Sequence, residues 1–178
     1  DQLLTITVAP LQVFVHAIPA VGGEPRLVGS LESAPNFDLS GNHMAYRQGG
    51  RVFVRALDNW DRSIPVGDES LADADVAISP DARLVAVGNS RGEIRIWATA
   101  GSLAPLRLLR AEGTPLSGPW ASVGPTSSSQ AQSVAFTPDG ALLVEASGRG
   151  AFMWSLSPDA TEPSRPLLQA SLAFPGLA

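Results

Sequence analysis

Two stretches of the chain are variants of one unit: Val76-Ala77-Ile78-Ser79-Pro80-Asp81 and Val134-Ala135-Phe136-Thr137-Pro138-Asp139-Gly140. Each leads into an apolar run, a glycine-containing turn and a second strand-like run ending on tryptophan, Trp97 and Trp154 respectively. An internal repeat constrains architecture before any residue is assigned a task. One such unit cannot bury its apolar faces alone and must stack on its neighbours.

The unit reads as four strands. Asp75 to Ser79 is short and rich in small and β-branched residues. Ser79-Pro80-Asp81 is a tight turn, with proline setting φ for its first central position and aspartate suited to the next. Arg83 to Gly88 is a nearly continuous apolar run, the pattern of a strand covered on both faces. After the turn Asn89-Ser90-Arg91-Gly92, Glu93 to Trp97 alternates polar and apolar, which places Ile94 and Ile96 on one face. Leu106 to Arg110 supplies an outer strand whose arginines suit an exposed edge.

The same order fits the rest of the chain. Residues 132–137, 141–146, 151–156 and 165–169 make a second copy, with Ser147-Gly148-Arg149-Gly150 as its middle turn. Pro35 to Leu39, Asn42 to Arg47, Arg51 to Leu57 and Arg62 to Val66 make a divergent one. There Ser40-Gly41 stands for the Pro-Asp turn and Gly49-Gly50 for the middle turn. Arg55, Trp97 and Trp154 then occupy equivalent places at the end of the third strand. Residues 3–31 supply three strands without an opening one, whereas Ala170 to Gly176 reads as an opening strand and its turn. The expected fold is all-β, with blades of four antiparallel strands arranged as a β-propeller: about three complete blades and one split between the termini. In chain order these are a partial blade over 1–31, blades over 32–69 and 70–110, an inserted loop over 111–131, a blade over 132–169, and an opening strand over 170–178. That last strand either completes the first blade or begins a further one. A segment of a longer array, or a ring closed by oligomerisation, is favoured, since four blades are the minimum for a ring.

Composition agrees with a many-stranded domain. At 178 residues the chain can bury a sizeable core, and 44% hydrophobic with 16% charged residues argues against global disorder. Seventeen glycines and 15 prolines, spread along the chain, fit short strands joined by turns. A net charge of −5 lacks the basic footprint that phosphate backbones require, which argues against a nucleic-acid partner. All 12 basic residues are arginine, the codon usage of a GC-rich, bacterial genome. Cysteine is absent, so disulfides and thiolate metal sites are excluded. No apolar run approaches the ~20 residues of a membrane-spanning helix. The chain opens at Asp1 rather than Met, as a processed, trimmed or excised segment would.

The repeats resemble the WD-repeat family and related propeller repeats of bacterial multidomain proteins. The residues that carry the resemblance are Val76 to Asp81 with Ile94-Arg95-Ile96-Trp97, and Val134 to Gly140 with Met153-Trp154. The family's Trp-Asp pair is Trp97-Ala98 and Trp154-Ser155 here, and no Gly-His pair precedes either repeat. The family's buried Asp-His-Ser-Trp hydrogen-bond network is therefore expected to be missing. The resemblance implies that the loops leading into each blade share one face with the middle turns, commonly the binding face. On this chain that face would carry residues 67–74, residues 111–131 and the turns at Gln48, Arg91 and Arg149.

Several groups on that face are candidates for partner binding. Ala111 to Ala131 is rich in Gly, Pro and Ser and holds one large anchor, Trp120, of the kind favoured at interface hot spots. The alternative is a tolerated surface loop with Trp120 folded back. Arg91 and Arg149 occupy the same turn in successive blades, with Arg47 near the corresponding place, and together could form a cationic rim for carboxylates or phosphates. Solvated turn residues are the alternative. Asp68, Glu69, Asp73 and Asp75 lack the ordered spacing of a calcium loop and read as a solvated acidic loop. His16 and His43, the two histidines, fall in strands without zinc-site spacing, and no Gly-x-Ser-x-Gly elbow is present. Trp60-Asp61 matches the family dipeptide but falls in a later connection, a coincidence of letters. Trp97 and Trp154 read as packing anchors between blades.

The expected function is that of a non-enzymatic protein-interaction or sensor scaffold, part of a larger bacterial signalling or STAND-type protein, with cytoplasmic location as the default for such a parent. No catalytic residue, cofactor or metal is expected, and the expected partner is a protein rather than nucleic acid or membrane. The alternatives are a propeller enzyme or small-ligand binder using the central channel, and a self-assembling fragment that closes a ring as a homo-oligomer.

Overall fold

The computed structural model describes residues 2–9, 12–19, 23–32, 36–67, 75–89, 93–101, 104–110, 133–147, 150–157 and 168–170. These residues form fifteen β-strands and no helix. The first sheet holds β1 (Gln2–Ala9), β2 (Gln12–Pro19) and β3 (Arg26–Glu32). The second holds β4 (Phe37–Ser40), β5 (His43–Gln48), β6 (Arg51–Ala56) and β7 (Ser63–Val66). The third holds β8 (Asp75–Ile78), β9 (Leu84–Gly88), β10 (Glu93–Ala98) and β11 (Arg107–Arg110). The fourth holds β12 (Ser133–Phe136), β13 (Leu142–Ser147), β14 (Gly150–Ser155) and β15 (Leu168–Ala170). Each sheet is an antiparallel meander of strands in chain order. β4, β8 and β12 pack beside one another, so the first strands of successive sheets converge and the fourth strands lie outermost. The architecture is the expected one: all-β, in propeller blades.

The core lies between the blades. Val13, Val15 and Leu31 of the first blade meet Met44, Tyr46 and Leu57 of the second. Ala45, Val52, Val54 and Val66 of the second meet Val76, Ile78, Val85, Val87 and Trp97 of the third. Ala77, Ala86, Ile94, Ile96 and Leu109 of the third meet Val134, Leu143, Phe152 and Trp154 of the fourth. Strand alternation explains the division: Ile94 and Ile96 point to one neighbour, while Trp97, one residue out of step, points to the other. This is why β9, serving both interfaces, has to be an unbroken apolar run.

The repeat is visible in the hydrogen bonds. Arg55, Trp97 and Trp154 face Met44, Val85 and Leu143 across the second strand of their blades. Two residues further on, the N–H groups of Leu57, Thr99 and Leu156 donate back to the carbonyls of Asn42, Arg83 and Ala141, at 2.8–2.9 Å. The first turns of the third and fourth blades share one network. Ser79 Oγ donates to Asp81 Oδ1 at 2.6 Å, and that oxygen also accepts from Arg83 N–H. Leu84 N–H returns a bond to Ser79 Oγ. Thr137, Asp139, Ala141 and Leu142 repeat these bonds atom for atom. In the second blade the turn is two residues shorter, closed between Ser40 and His43.

Two expectations are revised. Ala170, expected to open a further strand, pairs with Ala151 within the fourth strand of the last blade, Leu168–Ala170. Residues 171–178, expected to open a further strand, lie outside the described residues. Arg107, expected on an exposed edge, is half-buried, and its guanidinium donates to the carbonyl of Ser157 in the next blade at 3.2 Å.

Candidate interaction face

The antiparallel meander assigns each connection to one of two ends. One end carries the first turns, between β4 and β5, β8 and β9, and β12 and β13, with the connections after β6 and β10. The other carries the turn between β5 and β6 and the ends of β3, β7 and β11, from which the chain leaves each blade. Gln48, at the middle turn of the second blade, donates through Nε2 to the carbonyl of Glu32, where β3 ends, at 3.1 Å. In the second blade the middle turn therefore lies beside the end of β3, the last strand of the preceding blade. At the opposite end, Ser40 Oγ donates to the carbonyl of Pro80, joining the first turns of adjacent blades.

Of the sequence candidates, Arg47 is described: it lies in β5, half-buried, with its N–H bonded to the carbonyl of Asn36 at 2.8 Å. Arg91, Arg149 and Trp120 lie outside the described residues, as do Asp68, Glu69 and Asp73. Asp75 is committed elsewhere. Its Oδ2 accepts from the N–H of Val134 in the next blade at 3.1 Å. Among the described residues, no three potential metal ligands converge.

The bond to Asp75 is one of a pair. Asp38 Oδ2 accepts from the N–H of Ile78 at 2.9 Å, again from one inner strand to the next. In an antiparallel ladder only alternate N–H groups point at the partner strand. Ser79 and Thr137 direct theirs to Leu84 and Leu142, so those of Ile78 and Val134 point away from the sheet. The aspartates supply the acceptors that the ladder cannot. In both cases the donor lies one register position beyond the aspartate, counted on the aligned strands.

Trp97 and Trp154 are 1% and 0% exposed, each inside an inter-blade cluster. Neither indole N–H has a partner among the described residues. In the second blade Arg55 stands at the tryptophan's place. Its guanidinium lies 5.3 Å from the Tyr46 ring and 4.5 Å from the Trp60 ring, and it donates to Tyr46 Oη at 3.1 Å. Trp60 in turn rests on Gly29 of the first blade, so closely that a β-carbon there would fall inside the indole. Trp60, dismissed in the sequence as a chance dipeptide, thus forms the wedge between the first two blades. No repeat pattern marks it, since it lies in a connection.

No family model matches the sequence, and no curated protein matches it. Solved structures do. Hsv2 from Kluyveromyces lactis superposes with a TM-score of 0.62 at 14% identity, over 90% of this chain and 50% of that chain. A second K. lactis Hsv2 structure gives 0.63 at 12% identity, over 90% and 49%. Hsv2 from K. marxianus gives 0.62 at 12%, over 89% and 50%. Hsv2 proteins are seven-bladed β-propellers. At this identity the likeness defines the fold class, and the chain is similar to about half of a propeller. It spans about half the length of the chains it matches.

Proposed function

We propose that this chain is a non-enzymatic protein-interaction module, a sensor or scaffold segment of a larger bacterial signalling or STAND-type protein in the cytoplasm. The observation that carries this reading is the end of the molecule where the second blade's middle turn and the last residue of β3 meet, tied together by Gln48 and Glu32. Rigid blades beneath such an end make a surface whose loops vary while their spacing is kept. A protein partner fits better than nucleic acid, given the net charge of −5.

The test is affinity capture from the source cells with three forms of the protein. Gln48→Arg/Arg51→Glu alters exposed residues of the middle-turn end, and Arg83→Glu alters one of the opposite end. A partner retained by wild type and Arg83→Glu but lost by the first variant supports the proposal. Capture that ignores Gln48→Arg/Arg51→Glu, or depends on Arg83, overturns it.

The three-stranded first sheet favours a second reading, self-association through the edge of β1 that carries no strand among the described residues. Strand edges of this kind recruit further strands. Light scattering that finds only monomer at every concentration removes this reading.

A further inference from the structure

A cleft of about 310 Å³ opens between the second and third blades at the end opposite the proposed interaction face. It is lined by His43, Val54, Asn59, Arg62, Ile64 and Thr99, with Ala56 and Ala100 completing the walls. One wall is the connection after β6, closed by N–H bonds from Asn59 to Ala56 and from Arg62 to Asn59, both 3.2 Å. That connection is anchored from behind by Trp60 on Arg55 and Gly29. The other wall follows β10. There Thr99 is held twice, its N–H by Arg83 at 2.9 Å and its Oγ1 by the carbonyl of Ala82 at 2.7 Å. Both walls are thus fixed by contacts outside the cleft, as a preformed site requires.

The lining divides by chemistry. Val54, Ala56 and Ile64 form an apolar side, and Val54 belongs to the core that also holds Trp97. Arg62, His43 and Asn59 form a polar side. The side chains of these three have no hydrogen-bond or ion-pair partner among the described residues. A guanidinium offers a planar donor fork that matches a carboxylate, and an imidazole and a carboxamide add further donors. The volume lies at the low end of the range for small-molecule sites. Arg62 is the one formally charged residue in this lining, and its guanidinium favours an anionic head group to which His43 and Asn59 can also donate.

We propose that this cleft binds a small organic carboxylate with a short apolar tail, the head held by Arg62 with His43 and Asn59, the tail against Val54 and Ile64. The site is independent of the interaction face and stands whether or not that face binds a protein.

Butyrate is the probe, titrated into ¹⁵N-labelled full chain at constant ionic strength, with acetate, chloride and butylamine as comparisons. Saturable amide shifts confined to residues 43, 54–64 and 99–100 are expected, with butyrate binding several-fold tighter than acetate. Arg62→Ala should weaken binding at least tenfold, while Arg26→Ala, on the first blade, leaves it unchanged. Arg62 is exposed, so the variant's spectrum away from the cleft also reports that the fold is retained. Linear or scattered shifts, an equal response to chloride, acetate or butylamine, or unaltered binding by Arg62→Ala overturns the proposal.

Discussion

Trp60 and Gly29 belong to different blades, yet the indole of one occupies the space that a side chain on the other would need. Arg55 covers the same ring from its own blade. Gly29→Ala should therefore destabilise the fold by about 1–3 kcal/mol, the usual range for overpacking. Trp60→Ala should cost about 2–3 kcal/mol, less than a fully buried tryptophan because Trp60 is half-buried. In the double variant the two losses should fall short of their sum by about 1 kcal/mol or more. Urea melts of the four proteins check this, and strict additivity would mean that the two residues do not touch.

Trp154 fills the third inter-blade core. Trp154→Ala is expected to cost about 3–5 kcal/mol in denaturant melts. Because the indole N–H has no partner among the described residues, Trp154→Phe should lose packing volume but no hydrogen bond, about 1–2 kcal/mol. A loss below about 1 kcal/mol for Trp154→Ala would place this ring outside the core.

Asp38→Ala removes the acceptor for the Ile78 N–H and leaves that donor facing no other strand. The expected cost is about 1–3 kcal/mol. Hydrogen exchange gives the sharper signature. The Ile78 amide should exchange much faster in this variant, while the Val134 amide, held by Asp75, keeps its wild-type protection beyond the global change. Equal acceleration at both amides would contradict separate ties.

Ala82 and Gly140 occupy the same place in the two repeated turns, with φ of 56° and 70°. Left-handed backbone costs a residue bearing a β-carbon roughly 1–2 kcal/mol. Gly140→Ala should lose about 1 kcal/mol, since a β-carbon there would meet Pro80 Cδ at an ordinary 3.6 Å and adds no clash. Ala82→Gly should be within about 0.5 kcal/mol of neutral, because relief of that strain is offset by lost packing and a more mobile unfolded chain. Thermal melts decide, and a Gly140→Ala variant as stable as wild type refutes the point.

The same turns set an acid dependence. Asp81 is held below the ordinary carboxylate value of 3.8, chiefly by the Ser79 hydroxyl and then by the Arg83 N–H. Asp139 is held below it chiefly by the Thr137 hydroxyl and then by the Ala141 N–H. Folded-state values below the unfolded ones mean stabilisation that is fully present above the unfolded value and lost as pH falls through the folded value. Asp81→Asn/Asp139→Asn should therefore flatten the decline of stability below about pH 4 and leave the slope above about pH 5 unaltered. An unchanged acid limb would show that these carboxylates contribute nothing to it.

What the sequence discloses follows from what repeats. The phase of Arg55, Trp97 and Trp154 and the Ser/Thr-Pro-Asp turns were legible because each recurs at a fixed place in a periodic unit. Trp60 and Gly29 were not, since their relationship is a single contact between a connection and a strand of the preceding blade. The aspartate ties escaped for a different reason: an acceptor whose partner is a peptide N–H leaves no mark on the partner's sequence. His43, assigned to ordinary strand placement, lines the cleft because the connections after β6 and β10 close around it, which no local pattern encodes. Of the residues assigned to the interaction face, Trp120, Arg91 and Arg149 lie outside the described residues, so their placement there stays a proposal.

Asp38 and Asp75 hold main-chain groups, so the ties themselves exclude only proline at the receiving position, while the side chains there answer to the core between blades. The ties therefore survive drift in the composition of neighbouring leaves, provided that the apolar packing across the joint is kept. A seam of this sort lets an architecture tolerate divergence of its parts.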